Sequence, residues 1–177
     1  MKHDAIVILG FSGAGKDTTF AALNSAHPGR FTNVKFGALA KQLTANALGI
    51  SLSVTEDKEL RKLPSNYGIS AFDLLTVLFQ GCNESLTEAH IRYALDNISH
   101  DKIPVFTDVR RSVEAYAICR EFRNPLFLWL MTTHAISDVN DKEIMSIVHN
   151  FCTHIIHRLD TPESTVKTIE AILNGEH

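Results

Sequence analysis

The stretch Ala5-Ile6-Val7-Ile8-Leu9-Gly10-Phe11-Ser12-Gly13-Ala14-Gly15-Lys16-Asp17-Thr18-Thr19 decides the fold. Its first five residues are an unbroken apolar, β-branched run, the pattern of a strand buried on both faces. The run stops at Gly10, a glycine-rich loop follows, and from Lys16 the sequence is compatible with a helix. Gly10-x-x-x-x-Gly15-Lys16 is the spacing of a phosphate-binding loop between a strand and a helix. Gly10, Gly13 and Gly15 permit positive φ and close backbone approach, so successive loop N–H groups can turn inward on a polyphosphate. The helix that follows aims its positive dipole end at the same anion, and Lys16 adds a compact cation. Gly10, Ser12, Gly13, Ala14, Gly15, Lys16, Asp17 and Thr18 are therefore the candidate nucleotide-phosphate residues. Asp17 stands where most such loops carry Ser or Thr for Mg2+, and Thr18 comes one residue later; both are candidate metal groups.

The rest of the chain bounds what such a loop can serve. A length of 177 residues suits one domain spanning 1–177, long enough to bury a substantial core. Its 45% hydrophobic and 21% charged residues are the proportions of a soluble globular protein. The net charge of −3 supplies no basic field for a nucleic-acid backbone, so no nucleic-acid partner is expected and nucleotide monomers remain open. Cys82, Cys119 and Cys152 are odd in number and form no Cys-x-x-Cys pair, so reduced, mostly buried thiols are expected rather than disulfides or a zinc site. Asp4 interrupts any signal sequence, and the apolar run Leu126–Met131 is far too short to span a membrane. A cytoplasmic, membrane-free protein is expected, with monomer and homodimer both open.

Apolar runs at Ala5–Leu9, Ile103–Phe106, Leu126–Met131 and Thr153–His157, with the alternating Thr32–Phe36, predict a five-stranded sheet. Helical patterns occupy Lys16–Ala26, Leu39–Leu48, Ser70–Phe79, Ser85–Ile98, Ser112–Phe122 and Thr161–Leu173, with Ser85 and Glu88 reading as a capping box. Strands alternating with helices predict an α/β fold with a parallel sheet flanked by helices. The tract between the second strand and Ile103 is mostly helical and reads as an insertion over residues 50–100, on the substrate side. Within it, the charge-rich Ser51–Tyr67 is expected to be a solvated helix and loop.

A second constellation follows the strand Ile103–Phe106, in Thr107-Asp108-Val109-Arg110-Arg111. Ligands of open parallel sheets bind beyond the carboxyl ends of the strands, so Asp108 is expected on the same edge as the phosphate loop. A carboxylate there can hold Mg2+ through water. Arg110 can grip a phosphate bidentately, a task for which its planar fork suits it better than Lys.

Gly15-Lys16-Asp17-Thr18-Thr19, the segment Phe36-Gly37-Ala38-Leu39-Ala40-Lys41 through Ile50, and Thr107-Asp108-Val109-Arg110 with Glu114 together resemble the phage-type deoxynucleoside monophosphate kinases. The resemblance implies a P-loop NTPase fold of the nucleoside monophosphate kinase-like kind. It also implies transfer of the ATP γ-phosphoryl group to a deoxynucleoside monophosphate with Mg2+. Lys16, Asp108 and Arg110 become the candidate catalytic residues, with Lys41, Arg92 and Arg110 on the acceptor. Leu126–Asn150, where such kinases carry a lid, contains no arginine; Lys142, His134 and His149 are its cationic candidates. Two other readings use the same residues: a kinase for another phosphorylated acceptor such as dephospho-coenzyme A, and a nucleotide-binding protein with little turnover.

Overall fold

Ala5–Leu9 forms β1, every residue of it buried, at the centre of the parallel sheet. A computed structural model describes residues 3–80, 84–99, 101–131, 139–157 and 161–175. β2 (Phe31–Val34), β3 (Ile103–Phe106), β4 (Pro125–Met131) and β5 (His154–His157) complete the sheet in the order β2-β3-β1-β4-β5. All four pairings are parallel, with Val7 opposite Phe106 on one side and Phe127 on the other. Between the strands run α1 (Lys16–Ala26), α2 (Ala38–Leu48), α3 (Leu52–Glu56), α4 (Ala71–Gln80), α5 (Glu84–Asp96), α6 (Ser112–Glu121) and α7 (Val139–Phe151). After β5 comes α8 (Pro162–Asn174).

Two compact units divide the chain, Met1–Lys35 with Ile98–His177, and Phe36–Asn97. The first holds the whole sheet. Its period of two sends Ile6, Ile8, Val105, Leu126, Leu128 and Leu130 into one apolar cluster with Leu23 of α1 and Val166, Ile169 and Ile172 of α8. The alternate residues serve the other face: Phe106 meets Phe122, and Phe127 stacks on Phe151 at the end of α7. Each such fully buried apolar side chain contributes about 1.5–3 kcal/mol, which is why β1 tolerates no polar residue. The second unit packs α2 against α3, α4 and α5, with a single 3₁₀ turn at Leu60–Lys62 and an isolated bridge between Pro64 and Ser70.

The sheet and its flanking helices match the fold expected from the sequence, with local differences. β2 runs from Phe31, not Thr32, because Phe31 pairs with Ile103 and fills the core cluster. Ser85 lies inside the first turn of α5 rather than at its cap, since the helix is already under way at Glu84. The Ser51–Tyr67 tract holds α3 and the 3₁₀ turn, largely exposed. Helix α7 occupies a stretch to which the sequence reading assigned no element; Ile144 and Ile147 are buried, and with Val148 and Phe151 they repeat at helical spacing. Cys119 is exposed and Cys152 half-buried, both free, so burial of the thiols is only partial; Cys82 lies outside the described residues. Among the described residues no helix is long and apolar enough to cross a membrane.

Candidate functional site

Between β1 and α1 the chain folds into a tight loop whose glycines do different jobs. Gly13 and Gly15 have φ of 80° and 89°, the left-handed region where other residues are strained. Gly10 is needed for room instead: a Cβ there would lie 2.9 Å from the Ala14 Cβ and 3.4 Å from the Leu130 carbonyl oxygen. Its backbone is not in the positive-φ region, which corrects the sequence expectation for this one glycine. Phe11 is buried and anchors the loop edge-on against Trp129 of β4, with ring centroids 5.0 Å apart. The Ala14 N–H donates to the Phe11 carbonyl, while the Lys16 ammonium donates to Gly10 O at 2.6 Å and Phe11 O at 3.0 Å. Helix α1 starts at Gly15 with no side-chain cap among the described residues, so its first N–H groups and its positive end face the loop. Ser12, Gly13, Asp17 and Thr18 are exposed.

Asp17 is tied to the neighbouring strand ends. Its Oδ1 accepts from the Lys35 ammonium at 3.0 Å and from the Thr107 hydroxyl at 3.0 Å. Thr107 Oγ1 also lies 3.1 Å from the Asn33 side-chain amide. One hydroxyl proton cannot serve both neighbours, so with Thr107 donating to Asp17 the Asn33 amide must present its NH2 group to Thr107. Burial pushes the Asp17 carboxyl up, but the hydrogen bond and charge of Lys35, the Thr107 hydroxyl and the charge of Lys16 outweigh it, so its pKa lies below the ordinary value. Lys35 and Asn33 were not singled out from sequence, and Thr107 was read only as the first residue of the Thr107-Asp108-Val109-Arg110 block. They sit at the ends of β2 and β3, but only the strand order β2-β3-β1 brings them beside the loop.

Asp108 and Arg110 leave β3 at the same carboxyl edge, because β3 runs parallel to β1 and directly beside it. Asp108 is half-buried and Arg110 is exposed. The turn that carries them is held by two carboxylates. Glu114 Oε2 accepts from the Arg110 and Arg111 N–H groups at 2.8 and 3.0 Å, and its Oε1 accepts from Arg111 Nε at 3.1 Å. Glu143 of α7 takes the next amide, Ser112 N–H, at 3.1 Å. Burial raises the Glu114 pKa above the ordinary range against the pull of these N–H groups and of Arg111, and the negative charge of Asp108 raises it further. Glu114 supplies one half of a capping box at the start of α6, accepting from the Arg111 N–H, while the Arg111 guanidinium has no acceptor to return the bond.

The first unit therefore gathers Gly10, Ser12 through Thr18, Asp108 and Arg110 on one sheet edge. Lys41 and Arg92 belong to the second unit. Lys41 on α2 pairs with Glu56 at 3.4 Å, and Arg92 is exposed on α5. His134 lies outside the described residues. No cluster of three or more His, Cys, Asp or Glu suited to a metal occurs among the described residues. A phosphate-bound Mg2+ does not need one, since it keeps several waters and takes only one or two protein oxygens. Asp17 fits that demand: Lys35 and Thr107 both use Oδ1, leaving Oδ2 without a partner among the described residues.

No family model and no curated protein sequence matches the chain. Solved structures do. Shikimate kinase from Acinetobacter baumannii in complex with shikimate aligns with a TM-score of 0.50 at 9% identity, over 97% of this chain and 93% of that one. Shikimate kinase from Bacteroides thetaiotaomicron aligns with a TM-score of 0.50 at 12% identity, over 97% of this chain and 99% of that one. The chain has the nucleoside monophosphate kinase-like P-loop fold. At these identities the likeness carries the fold and leaves the reaction to the site.

Proposed function

We propose that the protein is an ATP-dependent phosphotransferase that moves the γ-phosphoryl group to a small acceptor, with a deoxynucleoside monophosphate as the preferred one. The observation that carries this reading is the Thr107–Asp17 hydrogen bond, which joins the end of β3 to the first turn of α1. It sets the Asp108–Arg110 turn beside the phosphate loop, so that a cation for the donor and an arginine for an acceptor share one edge.

An oxygen of the acceptor phosphate bonds to the γ-phosphorus as the bond from that phosphorus to the β–γ bridging oxygen breaks. The electron pair of that bond leaves with ADP. A phosphate acceptor is already ionised near neutral pH and needs no base, so the protein has only to position and to stabilise charge. Lys16 and the loop amides hold the β- and γ-phosphates, and Arg110 grips the acceptor phosphate from a backbone fixed by Glu114. Lys41 and Arg92 are assigned to the acceptor. Mg2+, when bound, neutralises phosphate charge; Asp17 Oδ2, Thr18 and, through water, Asp108 are the groups that would hold it.

A hydroxyl acceptor is the second reading, favoured by the carboxylate of Asp108 at the end of β3. A hydroxyl must lose a proton on attack, and Asp108 would serve as the base for it. One coupled assay of ADP formation separates these. The panel should include deoxy- and ribonucleoside monophosphates, dephospho-coenzyme A and shikimate. ADP formed only with a deoxynucleoside monophosphate supports the first reading, and ADP formed only with a hydroxyl acceptor supports the second. ATP bound but never consumed across the panel would overturn both and leave a nucleotide-binding protein.

A further inference from the structure

Lys35 follows β2 and belongs to no motif of the sequence, yet its ammonium lies 3.0 Å from Oδ1 of Asp17, the residue after Lys16. We propose that Lys35 is a second phosphate-binding cation of the loop, held in place by Asp17. It would bind a polyphosphate oxygen directly. The inference rests on reading the loop as a polyphosphate site.

Three observations support it. An ammonium has three N–H donors, and Asp17 is the only partner of Lys35 among the described residues, so donors remain for an anion. The carboxylate that holds it sits in the first turn of α1 and feels the charge of Lys16, which places Lys35 at the positive end of that helix. Stability does not explain the pair: Asp17 keeps 69% of its side chain exposed, and exposed ion pairs contribute little to folding. On this account Asp17 replaces the usual Ser or Thr because it does two things at once. One oxygen tethers Lys35, and the other is left for the metal's water.

The test uses the full chain and inorganic tripolyphosphate, a probe with no base and no acceptor chemistry, titrated by calorimetry with Mg2+. Lys35→Met should weaken tripolyphosphate binding roughly tenfold or more while moving the melting temperature by no more than about 4 °C. Lys35→Arg should restore most of the affinity. The Asp17→Asn, Lys35→Met double variant should stay weak, since the lost cation contacts phosphate. Recovery of full affinity in that double variant would overturn the proposal, because Lys35 would then only offset the Asp17 charge. So would wild-type affinity in Lys35→Met. Lost affinity in Lys35→Met with no acceptor consumed in the ADP assay would sink the kinase reading and leave this inference standing; a working kinase with an indifferent Lys35→Met would do the reverse.

Discussion

Gly10→Ala tests whether the phosphate loop is shaped by the space that Gly10 leaves. The added Cβ would lie 2.9 Å from the Ala14 Cβ, closer than side-chain carbons pack, and 3.4 Å from Leu130 O. Neither neighbour can move freely, since Ala14 is 2% exposed and Leu130 lies within β4. The strain of overpacking costs about 1–3 kcal/mol, which for a chain of this size lowers the melting temperature by roughly 3–10 °C. Relief has to come from the loop backbone, which displaces the Ala14 N–H and the two carbonyls that hold Lys16. Nucleotide affinity is therefore expected to fall by roughly tenfold or more, as displacement of binding groups by fractions of an ångström costs that much. Gly29→Ala is the matched control. Gly29 has a φ of 80° with nothing within 4 Å of a built Cβ, so alanine there costs about 1–2 kcal/mol of backbone strain far from the loop. Scanning calorimetry and a nucleotide titration on both variants decide the matter. Two destabilised proteins of which only Gly10→Ala binds nucleotide poorly is the expected pattern; wild-type affinity in Gly10→Ala would refute the steric argument.

Lys16→Ala should lower ADP formation by about 10²–10³-fold while the far-ultraviolet spectrum stays native, because the half-buried ammonium holds loop carbonyls and lies outside the apolar cluster. Arg110→Ala should raise the acceptor KM roughly tenfold or more with the ATP KM nearly unchanged; equal losses for both ligands would remove Arg110 from the acceptor. Glu114→Gln should mimic part of that acceptor defect and add little in an Arg110→Ala background, since Glu114 acts through the arginine's backbone. The two shifted carboxyls should also give opposite pH slopes in denaturant titrations. Asp17 is held below its ordinary value of 3.8, so the stability it adds is present above that pH and disappears on acidification through its folded value. The wild-type advantage over Asp17→Asn should thus shrink in acid. Glu114 is held above its ordinary 4.5, so its contribution is largest in acid and declines as the pH rises through its folded value. Matching slopes for the two comparisons would contradict these assignments.

The fold was readable where the chain obeys one local rule at a time. β1, β3 and α1 have the predicted bounds, because an apolar run, a glycine loop and a helix opening follow each other without conflict. The sequence reading missed α7, although Ile144, Ile147, Val148 and Phe151 carry its helical period. Those four apolar positions are set among seven polar or charged residues of the helix, with Val139 and Met145, which dilutes the period. In the site, Gly10 through Thr18, Asp108 and Arg110 were legible because each belongs to a short motif. The link of Lys35, Asn33 and Thr107 to Asp17 was not, since it depends on β3 lying between β2 and β1. Glu114 was visible only as part of a family-like block, and its three hydrogen bonds arise from a turn that spacing does not specify.

The helix starts explain why these exceptions collect where they do. Thr161 caps α8 and Ser51 caps α3 with side-chain oxygens, and Glu114 serves the start of α6. Helices α1 and α2 begin instead at Gly15 and Gly37, with no side-chain cap. A Ser or Asp cap adds only about a few tenths of a kcal/mol over glycine, and at Gly15 the φ of 89° would strain either residue. A cap oxygen at Gly15 would also occupy the N–H groups that a phosphate needs and repel its charge. The left-handed Gly13 and Gly15 and the buried Glu114 serve the phosphate loop and the turn beside it. All of them lie at the carboxyl edge of β1 and β3, while the apolar faces of the same strands obey ordinary packing. The uncapped start of α1 and the buried Glu114 with its raised pKa meet at that edge and mark it as the place where the sequence serves a ligand. Gly15→Asp set against Gly15→Ala tests this: both are strained at a φ of 89°, and only Asp, whose carboxylate would occupy the N–H groups that a phosphate needs, should lose the further nucleotide affinity.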